Sequence, residues 1–326
     1  MATNPLPGTL AASSAFAILT SFFLEIQRGV SPDSPLVLME EQTMIENARV
    51  TILVNNVVEE SGCLGEHGLA LHVAFVVEGK GQRLLLDTGQ TDLILQHNMK
   101  KLGCSAADLA AVVISHGHYD HTGGLLALLS SVARTLPVVI HPEAWGERLS
   151  GTREPRRIGA PFTPADVERA GGTLVAAASP VFLGDGVVVT GEVPRDEPVE
   201  RKTSLRRLVD HQVVEDWIAD DLSLVLNFGA KGLLLLTGCC HAGLINTTEH
   251  ARRVTKNPKV RGIIGGLHLI GASDERLRRT VEYLRHLDPD LVIPLHCSGP
   301  HESCALRQAL GEVVRLAGVG KTIILP

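Results

Sequence analysis

Three histidines and one aspartate lie within six residues of the segment Ser115–Gly124, which reads SHGHYDHTGG. Imidazole and carboxylate groups together bind zinc, iron or manganese in preference to calcium. The segment follows an apolar run that predicts a buried strand, and residues two apart in an extended chain point in the same direction. His116 and His118 can therefore converge on one ion. Asp120 and His121 come after the turn, where we expect them to face a second ion beside the first.

Later histidines also follow predicted strands and are candidates for the remaining ligands. His241, His268 and His296 each lie in a loop just beyond an apolar run. Functional sites of α/β proteins are found in such loops. We expect His241 and His296 to provide one ligand to each ion. For His268, metal coordination, contact with substrate and support of a neighbouring ligand are all compatible with the sequence.

The elements that must hold these residues alternate between short strands and helices. Runs of Val, Ile and Leu bounded by Gly, Asp or Pro predict strands. These strands are Val50–Val57, Leu69–Glu78, Arg83–Asp87, Ala111–Ser115, Val138–His141, Val187–Thr190, Leu222–Phe228, Leu233–Thr237, Arg261–Ile264, Leu291–Pro294 and Thr322–Leu325. Apolar residues spaced three and four apart predict helices. These helices are Asp92–Leu102, Gly124–Ala133, Leu244–Val254, Asp274–Leu287 and Ala305–Ala317. Hairpins and strand–helix–strand units in one chain predict an α/β fold with a mixed sheet covered by helices.

Residues 1–45 differ from the rest of the chain. The stretch Met1–Leu24 has no charged residue, but its apolar part is shorter than the ~20 residues that a membrane-spanning helix needs. A secretory signal also needs a basic region before the apolar stretch, and there is none. We predict a loosely ordered appended segment; a docked or membrane-surface helix and a targeting signal are the alternatives. Residues 46–326 are predicted to form a single domain, with a cap-like insertion at about 142–216 that is rich in prolines and charges.

Composition argues against several classes of protein. The 326 residues carry a net charge of −6, and only 3% are aromatic, whereas nucleic-acid-binding proteins are commonly basic and use aromatic stacking. The six cysteines include no C-x-x-C pair, which argues against zinc ribbons and thioredoxin-type redox motifs. Free thiols near metal ligands are typical of a reducing compartment. We therefore predict a cytoplasmic protein with no nucleic-acid partner and no stable membrane span, and we predict no particular oligomeric state.

Two basic clusters lie in the predicted insertion. They are Arg153-x-x-Arg156-Arg157 and Arg201-Lys202-x-x-x-Arg206-Arg207. Arginine forks recognise phosphates and carboxylates, so these clusters favour a small anionic molecule as the partner. The alternative is a solvated basic face that neighbouring acidic residues offset.

The pattern as a whole resembles the metallo-β-lactamase superfamily, whose signature is H-x-H-x-D-H. Six blocks are similar, in the same order, to one branch of it, related to the dihydropterin–ribofuranosylaminobenzene 5′-phosphate synthase of methanopterin biosynthesis. The blocks are Glu66–Leu69, Asp87–Gly89, Ser115–Leu125, Thr237–Asn246, Gly265–Leu269 and Leu295–Gly299. The resemblance covers about residues 49–326. It implies an αβ/βα sandwich of two mixed β-sheets flanked by helices, with the metals at one edge.

The resemblance also implies which residues hold each metal. The first ion would be held by His116, His118 and His241, and the second by Asp120, His121 and His296. Many members bridge the two ions with an aspartate in Thr-Gly-Asp, but this chain has Thr237-Gly238-Cys239 there. Cys239 is therefore either a thiolate ligand or a small buried residue.

Three further roles follow from the same comparison. Asp87 would orient a ligand histidine from behind. Asp120 would serve as the general base if only one metal binds, and His67, with Glu66, would reach the site from an early loop. The candidate catalytic groups are therefore Asp120, His67 and His268.

The expected function is that of a metal-dependent hydrolase with one or two divalent ions, zinc first and iron or manganese as alternatives. Such an ion activates water or polarises a phosphate or ester of a small anionic substrate. The branch adds a second possibility, a transferase that joins a dihydropterin methyl diphosphate to a ribosylated aminobenzene with loss of diphosphate. A non-catalytic metal or ligand sensor on the same fold is the alternative from another class.

Overall fold

The computed structural model describes residues 44–151, 153–201 and 203–326. The prediction of an appended segment at 1–45 therefore concerns residues that, apart from the last two, lie outside the described ranges. Of the second basic cluster, Lys202 also lies outside them. In the described part of the chain, no helix is both long and apolar enough to cross a bilayer.

Strands and helices alternate along the chain, as the sequence pattern predicts. The strands are β1 Asn47–Val54, β2 Ala70–Val77, β3 Lys80–Leu86, β4 Ala111–Val113, β5 Leu136–Ile140, β6 Arg148–Leu149, β7 Gly172–Ala176, β8 Val181–Gly184, β9 Val187–Val189, β10 Arg206–Val209, β11 Gln212–Glu215, β12 Ser223–Asn227, β13 Leu233–Thr237, β14 Val260–Gly266, β15 Leu291–Leu295 and β16 Thr322–Leu325. The helices are α1 Asp92–Lys101, α2 Tyr119–Thr122, α3 Leu125–Ser130, α4 Pro164–Arg169, α5 Leu244–Thr255, α6 Asp274–Leu287 and α7 Pro300–Leu310.

Two large mixed sheets carry the fold. The first has the order β16-β1-β2-β3-β4-β5-β7, and the second has the order β15-β14-β13-β12-β9-β8. In the first sheet, β3, β4, β5 and β7 run parallel, and the remaining pairs are antiparallel. In the second, β13, β14 and β15 run parallel, while β12 is antiparallel to both of its neighbours.

The two sheets pack face to face around one apolar core. Side chains from the first sheet, such as Val50 and Leu71, share this core with Leu224, Leu236 and Ile293 of the second. A second core lies under α1, α3 and α4 on the outer face of the first sheet. A third lies under α5, α6 and α7 on the outer face of the second. The result is four layers, helix–sheet–sheet–helix, which confirms the predicted αβ/βα sandwich.

The burial of both faces explains why several strands read as continuous apolar runs. Strand β13 has the sequence Leu-Leu-Leu-Leu-Thr. Its Leu234 and Leu236 point into the core between the sheets, whereas Leu233 and Leu235 pack under the helices. Strands covered on both faces need no polar alternation.

The predicted insertion, 142–216, contains elements of two kinds. Strand β7 belongs to the first large sheet, and β8 and β9 belong to the second. Strands β6, β10 and β11 form a separate three-stranded sheet in the order β11-β10-β6. The division into one domain with a cap stays a prediction. What the structure adds is that the segment after β6 reaches the histidine-rich segment, because Gly159 forms a bridge with His118, while Arg157 forms one with Leu149 of β6.

One predicted helix is wrongly placed. The sequence pattern predicts Ala305–Ala317, but α7 spans Pro300–Leu310. Proline is favoured in a first turn, where its missing N–H is not needed. The helix ends at Gly311, whose φ of 74° is a conformation that glycine adopts without strain.

Candidate metal centre

The predicted ligands come together at one edge of the sandwich. His116, His118, Asp120 and His121 follow β4 of the first sheet, while the later histidines follow β13, β14 and β15 of the second. Because the second group follows three adjacent parallel strands, their loops emerge side by side. The structure thus gathers all seven candidate metal ligands, and the remaining candidates His67 and His268 lie at the rim of the same cluster.

The first ion position, formed by His116, His118 and His241, is a set of nitrogens that face one another. Nε2 of His116 lies 2.8 Å from Nδ1 of His118 and 3.3 Å from Nε2 of His241. Nε2 of His118 is buried and has no hydrogen-bond partner within the described residues. Three imidazoles whose nitrogens lie this close are better arranged to bind a cation between them than to hydrogen-bond to one another.

The protonation of these histidines supports the same interpretation. Burial, reinforced by the neighbouring imidazoles, holds the pKa of His116 and of His241 well below 6.5. Burial also lowers the pKa of His118 to about 3. All three rings are therefore neutral near pH 7, and neutral imidazole is the form that binds a metal.

The second ion position, formed by Asp120, His121 and His296, is charged. Oδ2 of Asp120 lies 3.3 Å from Nε2 of His296 and 3.9 Å from Nε2 of His121. Burial alone would lower the pKa of His121, but the carboxylates of Asp87 and Asp120 raise it to about 9. Burial alone would raise the pKa of Asp120, but the surrounding histidines hold it well below its ordinary value. A divalent cation on Nε2 of His121 would take the place of the proton there and partner Asp120, while Nδ1–H of His121 would keep its hydrogen bond to Asp87.

Cys239 stands where the resemblance places a bridging aspartate, and its position fits that role. Its Sγ lies 3.2 Å from Nε2 of His121. It forms one close trio with His116 and His241 and another with His121 and His296, with all ligand atoms of each trio within 4.8 Å of one another. A thiolate there would face both ion positions, and sulfur favours zinc over magnesium or calcium.

Asp87 supports both positions from below. Its Oδ2 accepts hydrogen bonds from Nδ1 of His121 at 2.6 Å and from the Ser115 hydroxyl at 2.7 Å, and its Oδ1 accepts from the Ser115 amide at 2.7 Å. The Ser115 hydroxyl also lies 3.0 Å from Nδ1 of His116. One buried carboxylate therefore orients one ligand ring in each ion position, His121 directly and His116 through Ser115. Metal-bound histidines are typically held by such a carboxylate.

Sequence reasoning missed two acidic residues that hold the first position. Asp220 accepts a hydrogen bond of 2.7 Å from the amide N–H of Gly117, which lies between His116 and His118. Asp221 accepts the amide N–H of Ala242, beside His241, at 2.9 Å. Burial raises the pKa of Asp221 to about 6. The one sequence signal was an acidic pair directly before an apolar strand.

The rim of the centre holds the two other candidate residues. Nε2 of His67 lies 3.1 Å from Asp120, and its Nδ1 lies 3.2 Å from the Asn56 amide nitrogen, with the side chain half exposed. The His268 ring centre is 4.2 Å from that of His241. Each ring can contact both a ligand residue and a bound molecule.

Several ligand loops adopt a conformation that side chains rarely accept. Asp87, Cys240, His268 and His296 all have φ between 46° and 62°. Such residues cost about 1–3 kcal/mol each and cluster where function requires the geometry. Four of the ten non-glycine residues with positive φ in the described part of the chain thus lie in or beside the ligand loops.

Comparison with known proteins shows the family to which the chain belongs. Residues 67–215 match the family model of the metallo-beta-lactamase superfamily. The chain is also 30% identical, over 72% of its length and 81% of the other's, to the 7,8-dihydropterin-6-methyl-4-(beta-D-ribofuranosyl)-aminobenzene-5′-phosphate synthase of Methanocaldococcus jannaschii. The chain belongs to the metallo-β-lactamase superfamily. Within the superfamily, it falls in the branch related to that synthase.

Two further proteins are similar to this chain over most of its length. An uncharacterized protein of Methanocaldococcus jannaschii is 29% identical over 83% of this chain and 100% of that protein. A crystal structure described as a metal-dependent hydrolase of the β-lactamase superfamily superposes with a TM-score of 0.70 at 24% identity, over 85% of this chain and 98% of that one. This structural likeness confirms the fold.

Proposed function

We propose that this protein is a metal-dependent enzyme of the hydrolase type that acts on the phosphate or ester group of a small anionic molecule. The observation that carries the proposal is the convergence of His116, His118 and His241 with neutral, inward-facing nitrogens beside a carboxylate–imidazole set. When bound, one or two divalent ions, zinc first and iron or manganese as alternatives, supply positive charge for an anionic substrate and lower the pKa of water toward 7.

The chain's own residues would divide the remaining work. Asp120 faces the second ion position and can accept a proton if only the first position is filled. His67 is hydrogen-bonded to Asp120, which raises the pKa of His67 above its ordinary value. Its half-exposed ring lies at the boundary between solvent and the centre, where it would donate a proton to a leaving group.

An arginine at the mouth favours an anionic substrate. The Tyr119 amide donates a hydrogen bond to the Ile158 carbonyl at 3.0 Å, which holds residues 156–159 against the ligand motif. Burial and Asp120 raise the pKa of Tyr119, and the nearby guanidinium of Arg156 opposes them. By contrast, Arg157 forms an exposed ion pair with Glu147 at 3.4 Å. Arg156 is thus the member of its cluster best placed to meet a phosphate or carboxylate.

The second candidate function is a transferase of the methanopterin-synthase type. The 30% identity to a protein named as that synthase favours it. Both functions use the same groups, since a site that neutralises a departing diphosphate serves attack by water or by another nucleophile. They differ in whether an acceptor molecule is required.

The first experiment measures metal content and turnover together. Protein purified without chelator or added metal is analysed for metal per chain, then assayed with phosphodiesters, lactones and a dihydropterin methyl diphosphate, with and without an aromatic amine acceptor. Release of product without an acceptor supports the hydrolase, and release only with the acceptor supports the transferase. Substitution of His118 by Ala should abolish turnover, whereas substitution of the exposed His286 by Ala should not. Metal binding without turnover of any compound would favour the sensor.

A second experiment tests the anionic substrate. The Arg156→Ala variant should raise KM by about 10–100-fold, because a hydrogen bond to a charged group contributes about 1.5–3 kcal/mol. Arg157→Ala is the matched control and should leave KM unchanged. Equal KM values for the two variants would contradict the assignment of Arg156.

A further inference from the structure

Two cysteines and a histidine form a further cluster that shares Cys239 with the candidate metal centre. Cys239, His268 and Cys297 follow the adjacent parallel strands β13, β14 and β15, so the topology brings their loops together. Their ligand atoms all lie within 4.8 Å of one another. Both thiols are buried. Neither the superfamily signature nor the proposed function uses Cys297.

The backbone around the two thiols is packed so that their loops can approach closely. A Cβ on Gly266 would lie 2.7 Å from Sγ of Cys297, so a side chain there would collide with the sulfur. The Gly266 amide donates to the Gly238 carbonyl at 3.0 Å, which joins the β14 loop to the loop that carries Cys239. A glycine is therefore required where the three loops meet.

The polar atoms of the cluster have few partners of their own. The Cys297 thiol donates a long hydrogen bond, 3.4 Å, to the carbonyl oxygen of Cys239, and its sulfur also interacts with the side chains of Cys239 and His268. Nδ1 of His268 is buried and has no hydrogen-bond partner in the part of the chain that the structure describes. His268 also has a φ of 46°, a conformation that needs support from its surroundings. One ring nitrogen of His268 and the two sulfurs lie close enough together to share a single ion, and buried polar atoms of this kind call for a partner.

We propose that Cys239, His268 and Cys297 bind a thiophilic metal ion, Zn²⁺ or a similar soft ion, at a position distinct from the first and second ion positions. Two sulfurs and one imidazole select zinc or copper(I) over magnesium, calcium and manganese. As the two metal–sulfur bonds form, each thiol releases its proton to solvent. Three protein ligands leave one coordination position open, as in exchangeable rather than closed structural zinc sites.

The shared sulfur links this thiol position to the other two. Cys239 belongs to the trios of the first and second positions as well as to the thiol position. Its single thiolate cannot satisfy all of them equally, so an ion in the thiol position competes with a bridging role for Cys239. This inference goes beyond the proposed function, because it concerns metal binding and requires no turnover.

The test is titration of the metal-free, reduced protein with Co²⁺, followed through the thiolate-to-cobalt absorption in the near ultraviolet. Wild type should show a band that Cys297→Ser weakens and Cys239→Ser weakens further. The affinity measured in this band should fall at least tenfold in Cys297→Ser, since loss of even an outer partner costs about 10–100-fold. Cys304→Ser removes an exposed thiol and is the matched control. An unchanged band in Cys297→Ser, or no band in wild type, would overturn the proposal.

A second measurement needs no variant and so does not depend on the folding of a substituted protein. Wild type with and without bound Zn²⁺ is labelled with iodoacetamide for long enough that local opening exposes the buried thiols of the metal-free protein, and each cysteine is followed by mass spectrometry. Zinc should protect Cys297 together with Cys239 but leave Cys304 as reactive as before. Equal labelling of Cys297 in both states would refute the thiol position while leaving metal-dependent turnover, and hence the proposed function, untouched.

Discussion

The carboxylate of Asp220 joins the ligand loop to the buried guanidinium of Arg148. One carboxylate oxygen lies 2.7 Å from the amide nitrogen of Gly117, and the other lies 2.5 Å from Nη2 of Arg148. Arg148 belongs to the small sheet and is itself almost fully buried. The small sheet, which differs most from the rest of the fold, is therefore tied by a charge pair to the backbone between His116 and His118.

Asp220→Asn should weaken both stability and metal binding. An amide can still accept the Gly117 hydrogen bond but no longer neutralises Arg148, and removal of one partner of a buried ion pair costs about 3–5 kcal/mol. Because Asp216 remains 3.1 Å from the same guanidinium, the loss of unfolding free energy should lie near the lower end of this range. Zinc affinity should fall about 10–100-fold. Denaturant unfolding and chelator competition measure the two effects. Asp210→Asn, in an exposed turn, is the control, and a variant as stable as that control would contradict the role of the pair.

Gly117→Ala should disrupt the centre although it adds a single methyl group. A Cβ at this position would overlap the carbonyl oxygen of Ala144, which is backbone and cannot move aside easily. Overpacking of this kind costs about 1–3 kcal/mol, and the displacement would fall on the ligand loop. Gly81→Ala is the matched control, because nothing lies within 4 Å of a Cβ there. Thermal unfolding and metal content should separate the two variants; similar values would show that the loop has room to adjust.

Asp87→Asn should weaken the second ion position more than the first. The amide would place a donor where Asp87 now accepts from both Ser115 and His121, so His121 would lose its orientation. We expect the affinity of the second equivalent of zinc to drop about 10–100-fold, measured by calorimetric titration. Asp185→Asn, at an exposed turn, serves as the control. Loss of both equivalents together would mean that the indirect contact through Ser115 to His116 matters as much as the direct hydrogen bond to His121.

Metal removal should destabilise the folded protein, because the inward-facing nitrogens of the first position lose their shared partner. A ligand present at 100 times its dissociation constant stabilises by about 2.7 kcal/mol. Thermal unfolding with chelator and with added zinc should therefore differ by several degrees. His241→Ala should abolish most of this difference, and His286→Ala should preserve it. An unfolding midpoint that zinc does not change would contradict specific binding to the native state.

His72 should contribute to acid destabilisation far from the centre. Its burial in β2, together with the charge of Arg83, lowers the pKa of His72 below 6.5 in the folded state. Above pH 6.5 both states are neutral; below it, the unfolded chain binds a proton that the folded chain resists, so stability falls as pH falls. The slope from one such group reaches about 1.4 kcal/mol per pH unit. His72→Leu should flatten the loss of stability below pH 6.5, and His286→Leu, at an exposed site, should not. Parallel curves for all three proteins would argue against this cause.

Local sequence patterns predicted the ends of an element correctly where its surroundings are the same along its whole length. The strand Leu233–Thr237 and the helix Asp274–Leu287 have the predicted ends. The strand is buried on both faces, and the helix begins after the capping Ser273 hydroxyl, which accepts a hydrogen bond from the Arg276 amide. The fold class followed from the alternation of such elements and from the superfamily resemblance.

Long-range contacts were not accessible in the same way. The ligands could be proposed because each histidine follows a strand, but nothing local indicates that Asp220 meets Gly117 across 103 residues. Arg148, within a charged and proline-rich stretch, resembles a surface residue in sequence and is buried because Asp216 and Asp220 neutralise it. Such partners are defined only when the sheets have assembled.

The pairing of β1 with β16 has a consequence for how the protein folds. The hydroxyls of Thr51 and Thr322 lie 3.0 Å apart although 271 residues separate them. Contacts so distant in sequence carry a large loop-closure cost and are associated with slow folding. During synthesis, the outer edge of β1 stays uncovered until the ribosome has made nearly all of the remaining chain, because β16 lies close to its end. An uncovered edge strand is a site for aggregation, so the yield of folded protein should depend strongly on temperature and on chaperones.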